Sequence, residues 1–188
     1  MIQDLKKAVF LDRDGVINKL LVRDGEFTPP FNLKELEIFP GAREGVQLLK
    51  EAGFLCIGIT NQSDVGAGKL PHSDLGIIND FIKKELDLEE IYFCIHKKNA
   101  GCNCRKPQPG MAIQAIKDFN INPSQSFMVG DRWKDVEMGK KVGCRTVLVI
   151  SDSTHFDKER NNKEIEPDFT VNSLLEAARL IVSLNVTF

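Results

Sequence analysis

Short apolar runs that alternate with amphipathic segments constrain the fold of this chain more than any other feature. The runs have the length of buried strands and occupy residues 8–11, 54–59, 91–95, 126–129 and 145–150. The segments between them have helical apolar spacing and occupy residues 41–52, 73–86, 110–119 and 133–142. Residues 169–171 suit an edge strand, and Ser173 with Glu176 forms a capping box before a last helix. This alternation predicts an α/β fold, a doubly wound parallel sheet, with residues 1–188 in a single domain.

A pair of acidic residues follows the first predicted strand directly. Asp12 and Asp14 stand one residue apart, and Gly15 comes after them. Ligands bind at the carboxyl ends of strands in open parallel sheets. Two carboxylates at such a place can divide the work, one attacking or binding a metal while the other moves protons. Aspartates beside a glycine are also ordinary turn residues, so this pair has to be weighed together with the other strand ends.

Polar side chains also follow the second and fourth strands. Thr60 offers a hydroxyl and Asn61 an amide after strand two, while Asp131 and then Asp135 follow strand four. A helix cap, a turn or an exposed first-turn acid would explain each of them singly. Because all of them fall at the same end of adjacent strands, they favour an oxygen-rich site for Mg²⁺.

These groups match the needs of phosphoryl transfer, which are a nucleophile, a metal, hydrogen-bond donors and a positive charge. Asp12 is the candidate nucleophile, forming an aspartyl-phosphate. Asp14 is the candidate acid that protonates the leaving oxygen and later deprotonates water. Either Lys106 or Arg105 supplies the cation.

A cluster of potential metal ligands lies at residues 94–104. Three thiols and one imidazole suit a closed, tetrahedral structural zinc, and the candidate ligands are Cys94, His96, Cys102 and Cys104. The alternative is that the first cysteine is a core residue and the others are coincidental. The loop has little apolar material with which to order itself, and this favours zinc. Two further cysteines, Cys56 and Cys144, adjoin strands and are expected to be buried.

Residues 18–39 form a long segment that we expect to be irregular. Asp24-Gly25 and Pro29-Pro30 interrupt any continuous helix. A loop of this length in a compact domain is usually functional, so we interpret it as a flap over the site.

Composition restricts the partners and the location. The formal net charge of −2 gives no basic surface for nucleic acid or anionic membranes. No apolar run approaches the length of a membrane span, and the first residues lack the apolar segment of a signal peptide. We therefore expect a cytoplasmic monomer that binds a small phosphorylated metabolite and neither nucleic acid nor membranes.

The ordered set of motifs resembles the haloacid dehalogenase-like phosphatases. Residues 12–16 are similar to the family's first motif, Thr60-Asn61 to the second, Lys106 to the third, and Gly130-Asp131 with Asp135 to the fourth. The resemblance implies the haloacid dehalogenase fold, here with a small zinc loop and no large cap domain. It also implies Mg²⁺ held by Asp12, the backbone carbonyl of Asp14 and Asp131, with Asp135 in support.

The zinc loop and the residues after it are similar to one subgroup, which joins D-glycero-D-manno-heptose 1,7-bisphosphate phosphatases and histidinol-phosphate phosphatases. By this resemblance the substrate contacts are Thr60, Asn61, Gln62, Ser63, Arg105, Lys106 and Arg132. Residues 60–63 are more similar to the heptose enzymes, whereas the short interval from His96 to Cys102 and the run Gly130-Asp131-Arg132 are at least as similar to the histidinol enzymes. Asp64 and Gly66-Ala67 depart from the heptose pattern. The hypotheses are a Mg²⁺-dependent heptose bisphosphate phosphatase, a histidinol-phosphate phosphatase and a non-catalytic sugar-phosphate-binding zinc protein.

Overall fold

A computed structural model describes residues 5–151 and 165–185. Its central sheet has six strands, which are β1 (Ala8–Leu11), β4 (Leu55–Asn61), β5 (Glu90–Cys94), β6 (Phe127–Gly130), β7 (Arg145–Val149) and β8 (Phe169–Val171). All six are parallel, and they lie in the order β5-β4-β1-β6-β7-β8. The predicted doubly wound parallel sheet is confirmed, including the edge strand at residues 169–171.

Helices cover both faces of the sheet. They are α1 (Ala42–Glu51), α2 (Ser63–Gly66), α3 (His72–Leu86), α4 (Gly110–Phe119), α5 (Trp133–Val142) and α6 (Leu174–Asn185), with a 3₁₀ turn at Pro123–Gln125. One face packs against α1, α3 and α6, and the other against α4 and α5. No helix among the described residues is long and apolar enough to cross a membrane.

Strand β1 lies at the centre of the sheet and is fully buried. Its side chains alternate between the two cores, with Val9 and Leu11 in one and Ala8 and Phe10 in the other. A strand covered on both faces is continuously apolar, and this explains the uninterrupted run in the sequence. Because β1 pairs in parallel with both β4 and β6, the residues that follow these three strands meet at one edge of the sheet.

The segment at residues 18–39 is more regular than predicted. It contains an antiparallel hairpin of β2 (Leu21–Arg23) and β3 (Glu26–Thr28). Asp24 and Gly25 form its turn with φ values of 51° and 77°, which suit a two-residue hairpin turn. The prediction of an irregular segment is therefore wrong over residues 21–28, where cross-strand pairing overrides the weak local signal.

Other boundaries differ by small amounts. β4 continues through Thr60 and Asn61, and α2 adds a short turn after it. The predicted capping residue Ser173 accepts a hydrogen bond from the Glu176 N–H at 3.1 Å, while the Glu176 carboxylate accepts from Asn172 N–H. The polar composition of residues 151–166 predicts a surface loop, and most of this segment, residues 152–164, lies outside the described residues.

Candidate active site

Lys106 lies at the centre of a buried ionic cluster. Its Nζ donates to Asp12 Oδ1 at 2.7 Å and to the Ile59 carbonyl at 2.8 Å, and it lies 2.6 Å from Asp135 Oδ1. Burial alone would lower the pKa of Lys106, but the Asp12 and Asp135 carboxylates raise it above its ordinary value. The side chain is therefore an ammonium ion at neutral pH. The sequence left Lys106 and Arg105 as candidates for the cation, and in the structure it is Lys106 that contacts Asp12.

Asp12, the predicted nucleophile, is buried beside this ammonium. Its Oδ1 also accepts a hydrogen bond from the Arg13 N–H at 2.8 Å. Burial raises the pKa of Asp12 to about 6; the Lys106 ammonium opposes this rise, and the nearby Asp135 carboxylate adds to it. A nucleophile must be ionised, and the ammonium keeps this carboxylate ionised near neutral pH despite its burial.

Three carboxylates converge as a candidate metal site. Asp12, Asp131 and Asp135 are buried, and each offers an oxygen within 4.8 Å of the other two. A hard cation such as Mg²⁺ prefers such oxygen donors, so the residues fit the metal. Two glycines make room for them. A Cβ added to Gly15 (φ +99°) would lie 2.2 Å from Asp131 Oδ2, and one added to Gly130 would lie 2.1 Å from Asp135 Cβ.

Asp14, the predicted acid, is saturated with hydrogen bonds. Its Oδ1 accepts from Arg13 and Asn18, and its Oδ2 accepts from Arg13, Thr60 and Gln62. Asp14 is not among the residues that line the cavity that opens above Asp12. The metal contact predicted for its backbone carbonyl stays a prediction.

Two predicted substrate contacts have other partners. Gln62 is fully buried and donates to Asp14 at 2.5 Å and to Thr60 Oγ1 at 2.9 Å, so its side chain supports the acid instead of facing substrate. Asn61 exchanges two hydrogen bonds with the backbone of Lys106, at 3.0 and 3.1 Å. Its amide therefore fixes the end of β4 to the loop that carries Lys106. Asn61 also lines the cavity above Asp12, whereas Gln62 does not.

A cavity of about 410 Å³ opens above Asp12, Lys106 and Asp135. The hairpin, which lies within the segment interpreted as a flap, contributes Phe27 and Thr28 to its wall. Its outer lining is mainly basic: two acids, Glu26 and Asp64, face five cations, namely Lys69, Lys98, Arg105, Arg132 and Lys134. Arg105 and Arg132 are among the residues predicted from the sequence, whereas the three lysines are not. Lys134 had a signal, since it lies between Asp131 and Asp135 at the start of α5.

A neighbouring cavity of about 440 Å³ shares the Phe27 wall but holds none of the predicted catalytic residues. Its lining is largely apolar and includes Val16, Phe39 and Leu174. The cavity above Asp12 is therefore the candidate active site.

The four predicted zinc ligands lie together. The three sulfur atoms are 3.2 to 3.7 Å apart, and His96 Nδ1 lies 3.4 Å from Cys94 Sγ and 3.2 Å from Cys104 Sγ. Ligands of tetrahedral zinc at a Zn–S length of about 2.3 Å stand about 3.7 Å apart, so the donors fit the metal. Burial raises the pKa of the Cys94 thiol to about 12, so zinc binding would displace its proton.

The Cys/His cluster at residues 94–104 directly precedes the residues of the active-site wall. Arg105 Nη1 donates to the His96 carbonyl at 3.4 Å, and Lys106 is the next residue. The other two cysteines, Cys56 and Cys144, are buried as predicted.

Comparisons with known proteins agree with this geometry. Residues 103–177 match the family model described as HAD-hydrolase-like. The chain is 30% identical to the D-glycero-beta-D-manno-heptose-1,7-bisphosphate 7-phosphatase of Pasteurella multocida, over 96% of this chain and 99% of that protein. It is 32% identical to the protein of the same name from Haemophilus ducreyi, over 91% and 96%. Among solved structures, D,D-heptose 1,7-bisphosphate phosphatase from B. bronchiseptica, complexed with magnesium and phosphate, superposes with a TM-score of 0.81 at 25% identity, over 95% of this chain and 99% of that one.

Proposed function

Because the chain belongs to the haloacid dehalogenase-like hydrolases and is a phosphatase, we propose that it hydrolyses the 7-phosphate of D-glycero-D-manno-heptose 1,7-bisphosphate. Relatives of that name match nearly the whole chain and support the proposal. The non-catalytic hypothesis is set aside because these relatives are phosphatases.

The charge of the cavity is the observation that carries the choice of substrate. Besides Lys106, which pairs with Asp12 and Asp135, five cations and two acids line the outer cavity, so its basic groups outnumber its acidic ones. A bisphosphate brings a second dianionic group after the first has reached Asp12. The basic side chains of the outer cavity, which we call the rim, can form charge-assisted hydrogen bonds with that second phosphate.

The histidinol hypothesis fits this charge less well. Histidinol phosphate has one phosphate, and its other end carries an amine and an imidazole instead of an anion. Placing that cationic end among five basic side chains would be repulsive. The charge of the rim therefore favours the sugar bisphosphate.

The proposed reaction has two steps. In the first, Asp12 attacks phosphorus, the bond between phosphorus and the sugar oxygen breaks, and Asp14 gives its proton to that oxygen. In the second, water attacks phosphorus, the bond to Asp12 breaks, and Asp14 takes the proton of the water. Before the attack, the Lys106 ammonium neutralises the charge of Asp12. After the attack, it donates hydrogen bonds to the oxygens of the phosphoryl group.

Two metals complete the proposal. Asp12, the carbonyl of Asp14 and Asp131 would hold Mg²⁺, with Asp135 in support, and the ion would supply positive charge to the transferred phosphoryl group. Cys94, His96, Cys102 and Cys104 would hold a structural Zn²⁺. The zinc would order the loop that presents Arg105 and Lys106.

A comparison of kcat/KM between substrates tests the proposal. With Mg²⁺ present, we expect heptose 1,7-bisphosphate to exceed both heptose 7-phosphate and histidinol phosphate by about tenfold or more, because the second phosphate gains charge-assisted hydrogen bonds at the rim. Arg105→Gln and Lys134→Gln should reduce this preference. Similar, poor values for all three substrates would contradict the proposal.

A further inference from the structure

We propose that Arg13, anchored by Asn79 of α3, is a positioning residue that orients Asp14 for proton transfer. The inference rests on the proposed acid role of Asp14 and extends it to two residues to which no role has been assigned above. Arg13 lies between the nucleophile and the acid in the sequence, yet its side chain is fully buried. A buried guanidinium needs partners for its charge and its donors.

The guanidinium of Arg13 connects the acid to α3. Its Nη2 donates to both oxygens of Asp14 at 2.9 Å, and its Nε donates to Asp14 Oδ1 at 3.2 Å. On its other edge, Nη1 donates to Asn79 Oδ1 at 2.8 Å. Both Arg13 and Asn79 are buried, so water does not compete for these bonds.

Planar, two-point contacts fix the direction of a carboxylate as well as attract it. The hydrogen bonds from Arg13 restrict rotation of the Asp14 carboxylate. The hydrogen bond to Asn79 fixes the guanidinium of Arg13 at its opposite edge. Within the described part of the chain, the buried Nδ2 of Asn79 has no hydrogen-bond partner, so its bond to Arg13 is the polar contact that explains this amide. Burying an amide that has an unpaired donor costs free energy, so its presence needs an explanation. The role that we infer for this amide is to hold the Arg13 guanidinium in place.

The chemistry of the leaving group separates this role from a purely structural one. When the bond between phosphorus and a sugar oxygen breaks, the electron pair goes to a poor leaving group that needs the proton of Asp14. When p-nitrophenyl phosphate is the substrate, the departing phenolate is stable and needs no proton. A residue that positions Asp14 should therefore affect sugar phosphates much more than the aryl ester.

The experiment measures kcat/KM for both substrates in Asn79→Ala, Asn79→Leu and Arg13→Lys, with Asp14→Asn as the reference. Asn79→Leu keeps the volume of the side chain, in case the alanine variant folds poorly. The control is Ser126→Ala, which removes the buried partner of the Ala8 N–H at the opposite end of β1. Thermal unfolding of each variant records any structural loss.

We expect Asp14→Asn to lose about 10²–10⁴-fold on the sugar phosphate and far less on the aryl ester. Each Asn79 variant and Arg13→Lys should lose about tenfold on the sugar phosphate and less than about threefold on the aryl ester. Ser126→Ala should change both substrates equally. An equal loss on both substrates in the Asn79 and Arg13 variants, or no loss, while Asp14→Asn discriminates, would overturn the inference alone. If Asp14→Asn itself fails to discriminate, the proposed acid role falls, and the inference falls with it.

Discussion

Replacing Lys106 with methionine should leave two buried carboxylates without their positive partner. The ammonium lies 2.7 Å from Asp12 and 2.6 Å from Asp135, and these carboxylate side chains are only 9% and 1% exposed. Removing one partner of a buried pair costs about 3–5 kcal/mol. The free energy of unfolding of a typical domain is about 5–15 kcal/mol. Lys106→Met should therefore lose a large part of this free energy in the metal-free protein.

The loss should depend on pH in a defined direction. Burial raises the pKa of Asp12 to about 6 in the native protein, and Lys106 is the main group that opposes the rise. Without the ammonium, the pKa of Asp12 rises further, and the folded protein takes up a proton more readily than the unfolded chain. A group with a raised pKa favours folding at low pH and loses that contribution as pH increases. The free energy of unfolding of Lys106→Met should therefore be closer to that of the wild-type protein at pH 5 than at pH 8.

Urea unfolding in EDTA, followed by far-UV circular dichroism at both pH values, measures this effect. Lys140→Met is the matched control, because it breaks a pair with Asp168 of 2.6 Å whose side chains are 36% and 33% exposed. Such a pair contributes about 0–1 kcal/mol. If Lys106→Met lost no more stability at pH 8 than the control, the buried ionic cluster would not stabilise the fold as its geometry implies.

Three further predictions concern the metals, the glycines and the flap. Elemental analysis should find about one zinc ion per chain in the wild-type protein and none in Cys104→Ser, whereas Cys144→Ser, at a buried cysteine outside the cluster, should retain the zinc. Gly130→Ala should lower kcat by about 10²-fold, because the added Cβ would displace Asp135. Gly76→Ala is the control, because nothing lies within 4 Å of its Cβ; it should keep kcat and add about 0.5–1 kcal/mol of stability. Phe27→Ala should raise KM for the sugar phosphate more than it lowers kcat, since Phe27 forms the cavity wall. An unchanged zinc content, kcat or KM, respectively, would contradict these expectations.

The sequence predicted those features that depend on local pattern. β1, α4 and α5 have the predicted bounds, because an uninterrupted apolar run and the helical spacing of apolar residues are visible within a few residues. The convergence of Asp12, Lys106 and Asp131 also followed from one topological rule, that parallel strands end at one edge of the sheet.

The contacts missed by the sequence analysis are long-range or concern buried polar groups. The hairpin had a usable signal, Asp24-Gly25 between short alternating segments, but its flanks were not paired in the prediction. No pattern in the sequence distinguishes Gln62, which faces Asp14, from Ser63, which lines the cavity. The burial of Arg13 against Asn79, 66 positions away, depends on how α3 packs and was invisible before the fold was known.

The most direct test of the account is to find the phosphoryl group on Asp12. The protein is mixed with the sugar bisphosphate and Mg²⁺, quenched in acid within one turnover, and digested for peptide mass analysis. We expect the peptide that contains Asp12 to carry the added mass of one phosphoryl group, and Asp12→Asn to yield neither this adduct nor free phosphate. Phosphate release by Asp12→Asn at the native rate, or an adduct on a different residue, would contradict it.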